Sequence, residues 1–398
     1  MTLESKLSSY NRILDSTIEL WEAGGAELVS ARQVSTNASV PVSSIYHHFQ
    51  SLEQLFVLAQ EQAQAYARKW SEERLDQLTG FSAGPQAFAA FFAATIDDWV
   101  HQQRRLAFAW REGQMLRIDG EPGIQMRRGW QRLWTAFWQE ACDRCGLGDR
   151  AWIAERLFEN ESFAHMIDWR RAIDRAGLDE FARGVSAWMT GEPMPPAPWR
   201  DFAHAEALRA APVVPSHDAT TSRIAAAAAA LIEESGPSGV THRAVAERAD
   251  LTLGVVSHKL RTKAELLQAG FEAVYLGSVT RLREQTSTIS PTQANATLDG
   301  LANFMSEASR SQGVHALLLA VARDASLRTF GLQLRYLRGT TSQSLLTMLR
   351  PDRATPNHLE AALLSSFLSS LPRFHADDEP GNARARIRQA IDGMISLL

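Results

Sequence analysis

Cysteine is scarce, with two in 398 residues, which fits a reducing compartment. Long apolar runs are missing. None reaches the roughly 18–20 residues of a membrane span, and the N-terminus lacks the apolar region of a signal peptide. No membrane partner is therefore expected, and cytoplasmic residence is. Net charge is small, −4 with a pI near 6.3. That argues against wholesale coating of nucleic acid but leaves a specific reader open, because phosphate attraction depends on local charge. No stretch alternates apolar and polar residues as a half-buried strand does, so the chain is expected to be all-α. There is no nucleotide-binding loop, metal-ligand set or nucleophile motif, so neither an enzyme nor a cofactor or metal is expected. Cys142-Asp143-Arg144-Cys145 is a lone CxxC without a second pair or a spaced histidine pair. It reads as an incidental pair near a helix end, with a redox-sensing disulfide as the other reading.

What the chain does have is ordinary globular composition, 45% hydrophobic and 22% charged, and length for two domains or more. It also has a repeat. Ser30 to Phe56 reads SARQVSTNASVPVSSIYHHFQSLEQLF. Ser30 is a candidate N-cap, and Val34 and Ala38 share one helical face. Val40-Pro41 ends that helix, because a residue before proline is pushed out of the helical region. A second short helix carries Ile45 and Phe49 inward. Val42, Ser44, Tyr46, His47 and His48 are left on its other faces. Two short helices joined by a tight turn suggest a helix-turn-helix, whose second helix enters the DNA major groove.

The stretch recurs, without a gap, 211 residues later as THRAVAERADLTLGVVSHKLRTKAELL, from Thr241 to Leu267. Arg12 matches Arg223, Gly25 matches Gly236, Val34 matches Val245, His47 matches His258 and Leu55 matches Leu266. A period this long means duplicated domains rather than a solenoid.

Both copies resemble the DNA-binding domain of the TetR family of bacterial transcriptional regulators. That pattern is an opening helix ending in Gly, a Thr- or Ser-capped helix, a turn, then Gly-Thr-x-Tyr-x-His-Phe and Ser-Lys-Glu-x-Leu. The first copy supplies Ile45-Tyr46-His47-His48-Phe49 and Ser51-Leu52-Glu53-Gln54-Leu55. The second supplies Thr241, Thr252, Gly254, Thr262-Lys263 and Glu265-Leu266. The copies divide the family's assets. The first keeps Tyr46, His48 and Phe49 but has Leu52 where the family has a phosphate-binding lysine. The second keeps Lys263 and adds Arg243, Arg248, Lys259 and Arg261, but Ser257 replaces the tyrosine, Lys259 the histidine and Leu260 the phenylalanine. The resemblance implies DNA contacts from Ser30, Arg32, Val42, Ser44, Tyr46, His47 and His48 in the first copy. In the second it implies them from Thr241, Arg243, Leu253, Val255, Ser257, His258, Lys259 and Lys263.

Five segments are expected: a head over 1–56, a helical effector and dimerisation domain over 57–190, a proline-rich linker over 191–221, a second head over 222–267 and a second helical domain over 268–398. Helices are expected near 86–117, 122–145, 149–172 and 175–189, then near 291–310, 312–325, 328–350, 355–371 and 382–397. Trp99, Trp110, Trp130, Trp134, Trp138, Trp152, Trp169 and Trp188 crowd one region of the first half. They either fill an all-helical core or line a pocket for a planar or hydrophobic effector. Trp99, Phe108, Trp110, Met115, Trp130 and Trp134 are the lining candidates.

The expected fold is therefore two tandem TetR-like halves, each a three-helix head with a helical bundle. The expected function is a ligand-responsive repressor on double-stranded DNA, its halves pairing within one chain on an imperfect palindromic operator. The expected effector is a small hydrophobic or aromatic molecule. The other reading is a sensor or interaction protein in which one or both heads no longer bind DNA. Association of two chains stays open.

Overall fold

The computed structural model describes residues 3–26, 29–81, 84–210, 218–287, 294–308, 313–324, 328–350 and 355–397. Pro212, Pro215 and Ser216 of the expected linker lie outside them. The described residues are helical, with no strand. No helix among them is long and apolar enough to cross a membrane. The chain divides into two units. One comprises Met1–Met166 and Asp174–Pro195, the other Ile167–Ile173 and Pro196–Leu398.

The first unit holds α1 (Leu3–Gly24), α2 (Ala31–Asn37), α3 (Val42–His48), α4 (Leu52–Asp76), α5 (Phe88–His101), α6 (Arg104–Met115), α7 (Gly120–Arg144), α8 (Ala151–His165) and most of α9 (Arg171–Thr190). Its head closes on Ile13, Leu14, Ile18 and Trp21 of α1, with Val34, Ile45, Phe49 and Leu55 buried against them. Tyr10 stacks on Phe49, ring centroids 5.1 Å apart. The body is an aromatic core. Trp99 and Trp134 meet edge to face at 4.8 Å, and Phe158 lies 4.6 Å from Trp134 and 5.1 Å from Trp138. Such pairs contribute about 0.5–1.5 kcal/mol each beyond burial.

The single helix expected over 86–117 is two. Gln102 and Gln103 both donate their amides to the Asp98 carbonyl, and the chain restarts at Arg104. Neither glycine nor proline marks the break. Tertiary partners separate the two: α5 packs on α8, and α6 on α1.

The second unit holds α10 (Pro198–Arg209), α11 (Ala219–Ser235), α12 (His242–Arg248), α13 (Leu253–Lys259), α14 (Lys263–Ser287), α15 (Ala294–Ala308), α16 (Gly313–Arg323), α17 (Arg328–Tyr336), α18 (Thr340–Leu349), α19 (His358–Phe374) and α20 (Pro380–Ile395). The alanine run of α11 lets it approach α14 closely. A Cβ on Gly270 would stand 2.8 Å from Ile232 Cδ1 and 3.0 Å from Ala228 Cβ. The rest of the core is mainly aliphatic, including Leu317, Leu346, Leu363, Leu371, Ile387 and Ile391, with Phe271 and Phe367 among them. The helix expected over 328–350 is also two. It breaks before Gly339, whose φ of 103° is left-handed. Ile167–Ile173 contributes Trp169 and Ile173, which pack against Ala203, Ala207, Leu332 and Tyr336.

Candidate nucleic-acid interface

The two heads are built by the same local devices at the same register. Ser30 Oγ accepts the Gln33 amide at 3.3 Å, and Thr241 Oγ1 accepts the Ala244 amide at 3.1 Å. These caps start α2 and α12 by satisfying amides that lack intrahelical partners. The turns that follow each use a non-glycine residue in the left-handed region, Ser39 and Asp250, both with φ of 51°. Each turn closes on the matching backbone bond, Val40 N to Ser35 O at 3.0 Å and Leu251 N to Ala246 O at 2.9 Å. Ser51 and Thr262 then cap α4 and α14, accepting the Gln54 and Glu265 amides at 3.1 Å each. Gln54 and Glu265 reach back to the Gln50 and Arg261 amides.

One difference lies at the start of α3 and α13, the helices that the helix-turn-helix pattern makes the reading helices. Thr252 Oγ1 caps α13 by accepting the Val255 amide at 3.4 Å, whereas Pro41 begins α3 with no side-chain cap. Proline's fixed φ suits that place but offers no acceptor.

Most of the expected DNA-contacting side chains stand at the surface. Arg32, Val42, Tyr46 and His47 are exposed in the first head, with Ser30 and Ser44 half-buried. Thr241, Arg243, Leu253, Val255, Ser257, His258, Lys259 and Lys263 are exposed in the second. His48 turns back: its Nε2 lies 3.0 Å from Ser9 Oγ, and its ring meets Tyr10 edge-on at 5.7 Å. Lys259, its counterpart, also turns back, with Nζ 2.8 Å from Asp218 Oδ2. In both heads the last residue of the reading helix is tied to the N-terminal part of the support helix that opens the head, at Ser9 within α1 and at Asp218, the N-cap of α11.

That tie changes the charge of the second head. Lys259 is ion-paired, and Arg248 is held by Glu234, Nη1 to Oε2 at 2.8 Å. The Lys259 ammonium, with the Thr221 amide, holds the Asp218 carboxyl below the usual carboxylate range. Arg243, Arg261 and Lys263 have no ion-pair partner among the described residues. Lys263 stands at the N-terminus of α14, where helix amides also favour phosphate. Sequence reading missed Asp218, Glu234 and Ser9. Their partners lie 41, 14 and 39 residues away, beyond any local pattern.

The ligand candidates of the first unit come together. Trp99, Phe108, Trp110, Trp130 and Trp134 are buried, and Met115 is half-buried. Trp110 stacks on Trp130 at 6.0 Å and on Phe158 at 5.9 Å. Gln60 of α4 serves this layer, donating to the Ala109 carbonyl at 2.7 Å and accepting Trp130 Nε1–H at 2.8 Å. The Thr95 hydroxyl and the Trp134 and Trp138 indole N–H groups are buried without a hydrogen-bond partner. α6 joins this core to the head. The Arg111 guanidinium lies 3.7 Å from the Trp110 ring centroid and donates to Glu159 Oε1 at 2.7 Å. The next residue, Glu112, accepts the Ala26 amide at 3.0 Å, just past the end of α1.

Cys142 and Cys145 are free and buried. Burial pushes both thiols up, and the neighbouring Cys145 and Asp143 add to the shift of Cys142. A buried protonated thiol is a poor nucleophile. No group of three or more metal-ligating side chains occurs among the described residues.

No curated protein matches the chain. Residues 13–59 and 224–269 each match the family described as bacterial regulatory proteins, tetR family. The first match runs from within α1 to the opening of α4, the second from within α11 to the opening of α14, so each takes in both short helices of a head. The chain therefore carries, in tandem, two domains of the tetR family of DNA-binding bacterial transcriptional regulators.

Proposed function

We propose that this regulator is a repressor that grips one operator with both heads and releases it when a small hydrophobic or aromatic effector enters the aromatic half. The observation that carries this reading is the pair of heads. They share caps, turn geometry and buried contacts, yet their reading faces differ, with Tyr46 against Ser257 and Ser44 against Val255. One covalent chain raises the effective concentration of each head for its half-site. Unlike heads then favour unlike half-sites, an imperfect palindrome. Footprinting on the DNA upstream of the gene, followed by exchange of half-sites, tests this. The native asymmetric site is expected to bind more tightly than either perfect palindrome; equal or better binding to a palindrome would reject it.

Release by an effector has a physical route. Thr95, Trp134 and Trp138 offer hydrogen-bond donors to a planar molecule with acceptor atoms. α6 touches that core through Trp110 and Arg111 and holds the head through Glu112. An effector that favours a different seat for α6 shifts the population of heads off DNA, by no more than its difference in affinity for the two states.

The rival reading, a sensor without DNA binding, draws on the neutralisation of Lys259 and Arg248. Electrophoretic shifts at varied salt separate the two. A specific complex with a steep salt dependence belongs to the regulator.

A further inference from the structure

The two reading helices are unusual in what they show to solvent. Among the described residues ten large apolar side chains are exposed, and four stand on these two helices of seven residues each. They are Val42 at 38% and Tyr46 at 64% on α3, and Leu253 at 52% and Val255 at 36% on α13. Val42 and Leu253 occupy the same register, the first residue of each helix. Residues there are the ones a major-groove helix turns toward base edges. Between Leu253 and Val255 sits Gly254, where an added Cβ would meet nothing nearer than Thr252 Oγ1 at 4.0 Å. The backbone there is open to close approach, with an apolar side chain on either flank.

What the helices lack decides how they can read. Guanine is read by Arg or Lys, adenine by Asn or Gln and cytosine by Asp or Glu, whereas a serine such as Ser44 or Ser257 bonds several bases without choosing among them. α3, Val42 to His48, contains none of the six. α13, Leu253 to Lys259, contains only Lys259, at its far end and held by Asp218. The base feature that an aliphatic side chain recognises in the major groove is the C5-methyl of thymine. Seating that methyl against Val or Leu removes apolar surface of both from water, which an exposed Val or Leu otherwise leaves wet.

We infer that both heads select their half-sites through thymine methyl groups, with Val42 the contacting residue in the first head and Leu253 and Val255 in the second. This rests on the heads binding DNA. The second head, with two aliphatic contacts to one, depends on methyl groups more strongly.

The test uses the full-length chain. Sites are enriched from a randomised duplex library, and the best is remade with deoxyuridine at one thymine at a time. Deoxyuridine removes the methyl and leaves every hydrogen-bonding edge intact. Affinities are measured by electrophoretic shift. Loss of about four-fold per contacted methyl is expected, the value of one buried methyl-sized group. In Val42→Ala the loss disappears at positions in one half-site, and in Leu253→Ala at positions in the other, as a coupled pair requires. Both residues are exposed, so the variants are expected to melt with the parent, which thermal unfolding verifies. Uridine duplexes that bind as tightly as their thymine parents would overturn the inference alone. So would variants that keep the full uridine penalty. A library in which nothing is enriched would remove this inference together with the DNA-binding reading beneath it.

Discussion

Asp218 does two things with one carboxylate. Oδ1 caps α11 by accepting the Thr220 and Thr221 amides at 3.0 Å each, and Oδ2 holds Lys259 at 2.8 Å. Lys259 ends a reading helix, so its carboxylate partner competes with any DNA phosphate within reach. Asp218→Asn keeps the cap, since asparagine caps helices as well as aspartate, and removes the competing charge. Tighter DNA binding is expected, with the slope of log affinity against log salt steeper by about 0.9, the value of one phosphate contact. An unchanged slope would mean that Lys259 meets no phosphate. The two sides of this contact were unequally legible. Ser30, Thr241 and the register of Lys259 could be read from cap chemistry and the repeat. The Asp218 and Ser9 ties could not, because nothing local in a sequence marks which distant oxygen a long side chain will find.

Elements were legible where periodicity is long and punctuation strong. Both heads followed from the duplicated pattern, and Gly25 and Gly236 marked the ends of the support helices with positive φ. The turns within the heads were half legible. Pro41 announced a break, but the left-handed residues that make the turns are Ser39 and Asp250 rather than glycine. The division at Gln102–Gln103 carried no signal, because tertiary partners and not propensity end that helix. α10 and α19 meet through stacked imidazoles, His204 on His358, 4.1 Å apart and nearly parallel. His358 Nδ1 lies 2.8 Å from Asp201 Oδ1, and His204 Nδ1 lies 2.8 Å from the Tyr336 carbonyl. Burial lowers the pKa of His204. The Tyr336 carbonyl and Asp201 oppose the shift, while His358 and Arg200 add to it. A base with a depressed folded pKa takes up its proton more readily unfolded. Its neutral contact is therefore fully favourable above the ordinary imidazole range and loses ground as pH falls from that range to the folded value. Thermal unfolding followed at descending pH is expected to show a larger fall in Tm for the parent than for His204→Gln. Parallel falls would place the sensitivity elsewhere.

At the scale of the molecule, the unpaired cations of the heads are unevenly shared. Arg32 stands alone between the caps of the first, whereas Arg243, Arg261 and Lys263 remain in the second. On the proposed function the second head would supply more of the electrostatic attraction and the first the aromatic reach of Tyr46. The bodies divide as unevenly, one rich in tryptophan and one mainly aliphatic. Composition made that division legible, but not the course of the chain between the units. The chain leaves the first unit after Met166, lends seven residues to the second, returns at Asp174 and departs for good after Pro195. The proline-rich stretch near 191–197 therefore holds one of three boundaries between the units rather than the only one. A gene divided there would yield a C-terminal fragment stripped of Trp169 and Ile173, with the faces of Ala203, Ala207, Leu332 and Tyr336 laid bare. Produced alone, that fragment is expected to self-associate in size-exclusion chromatography and to be rescued by a version that begins upstream of Ile167; a monodisperse fragment without the segment would contradict this. In the intact chain, three crossings in place of one interleave the two units along the sequence, so no single cut deals them out separately.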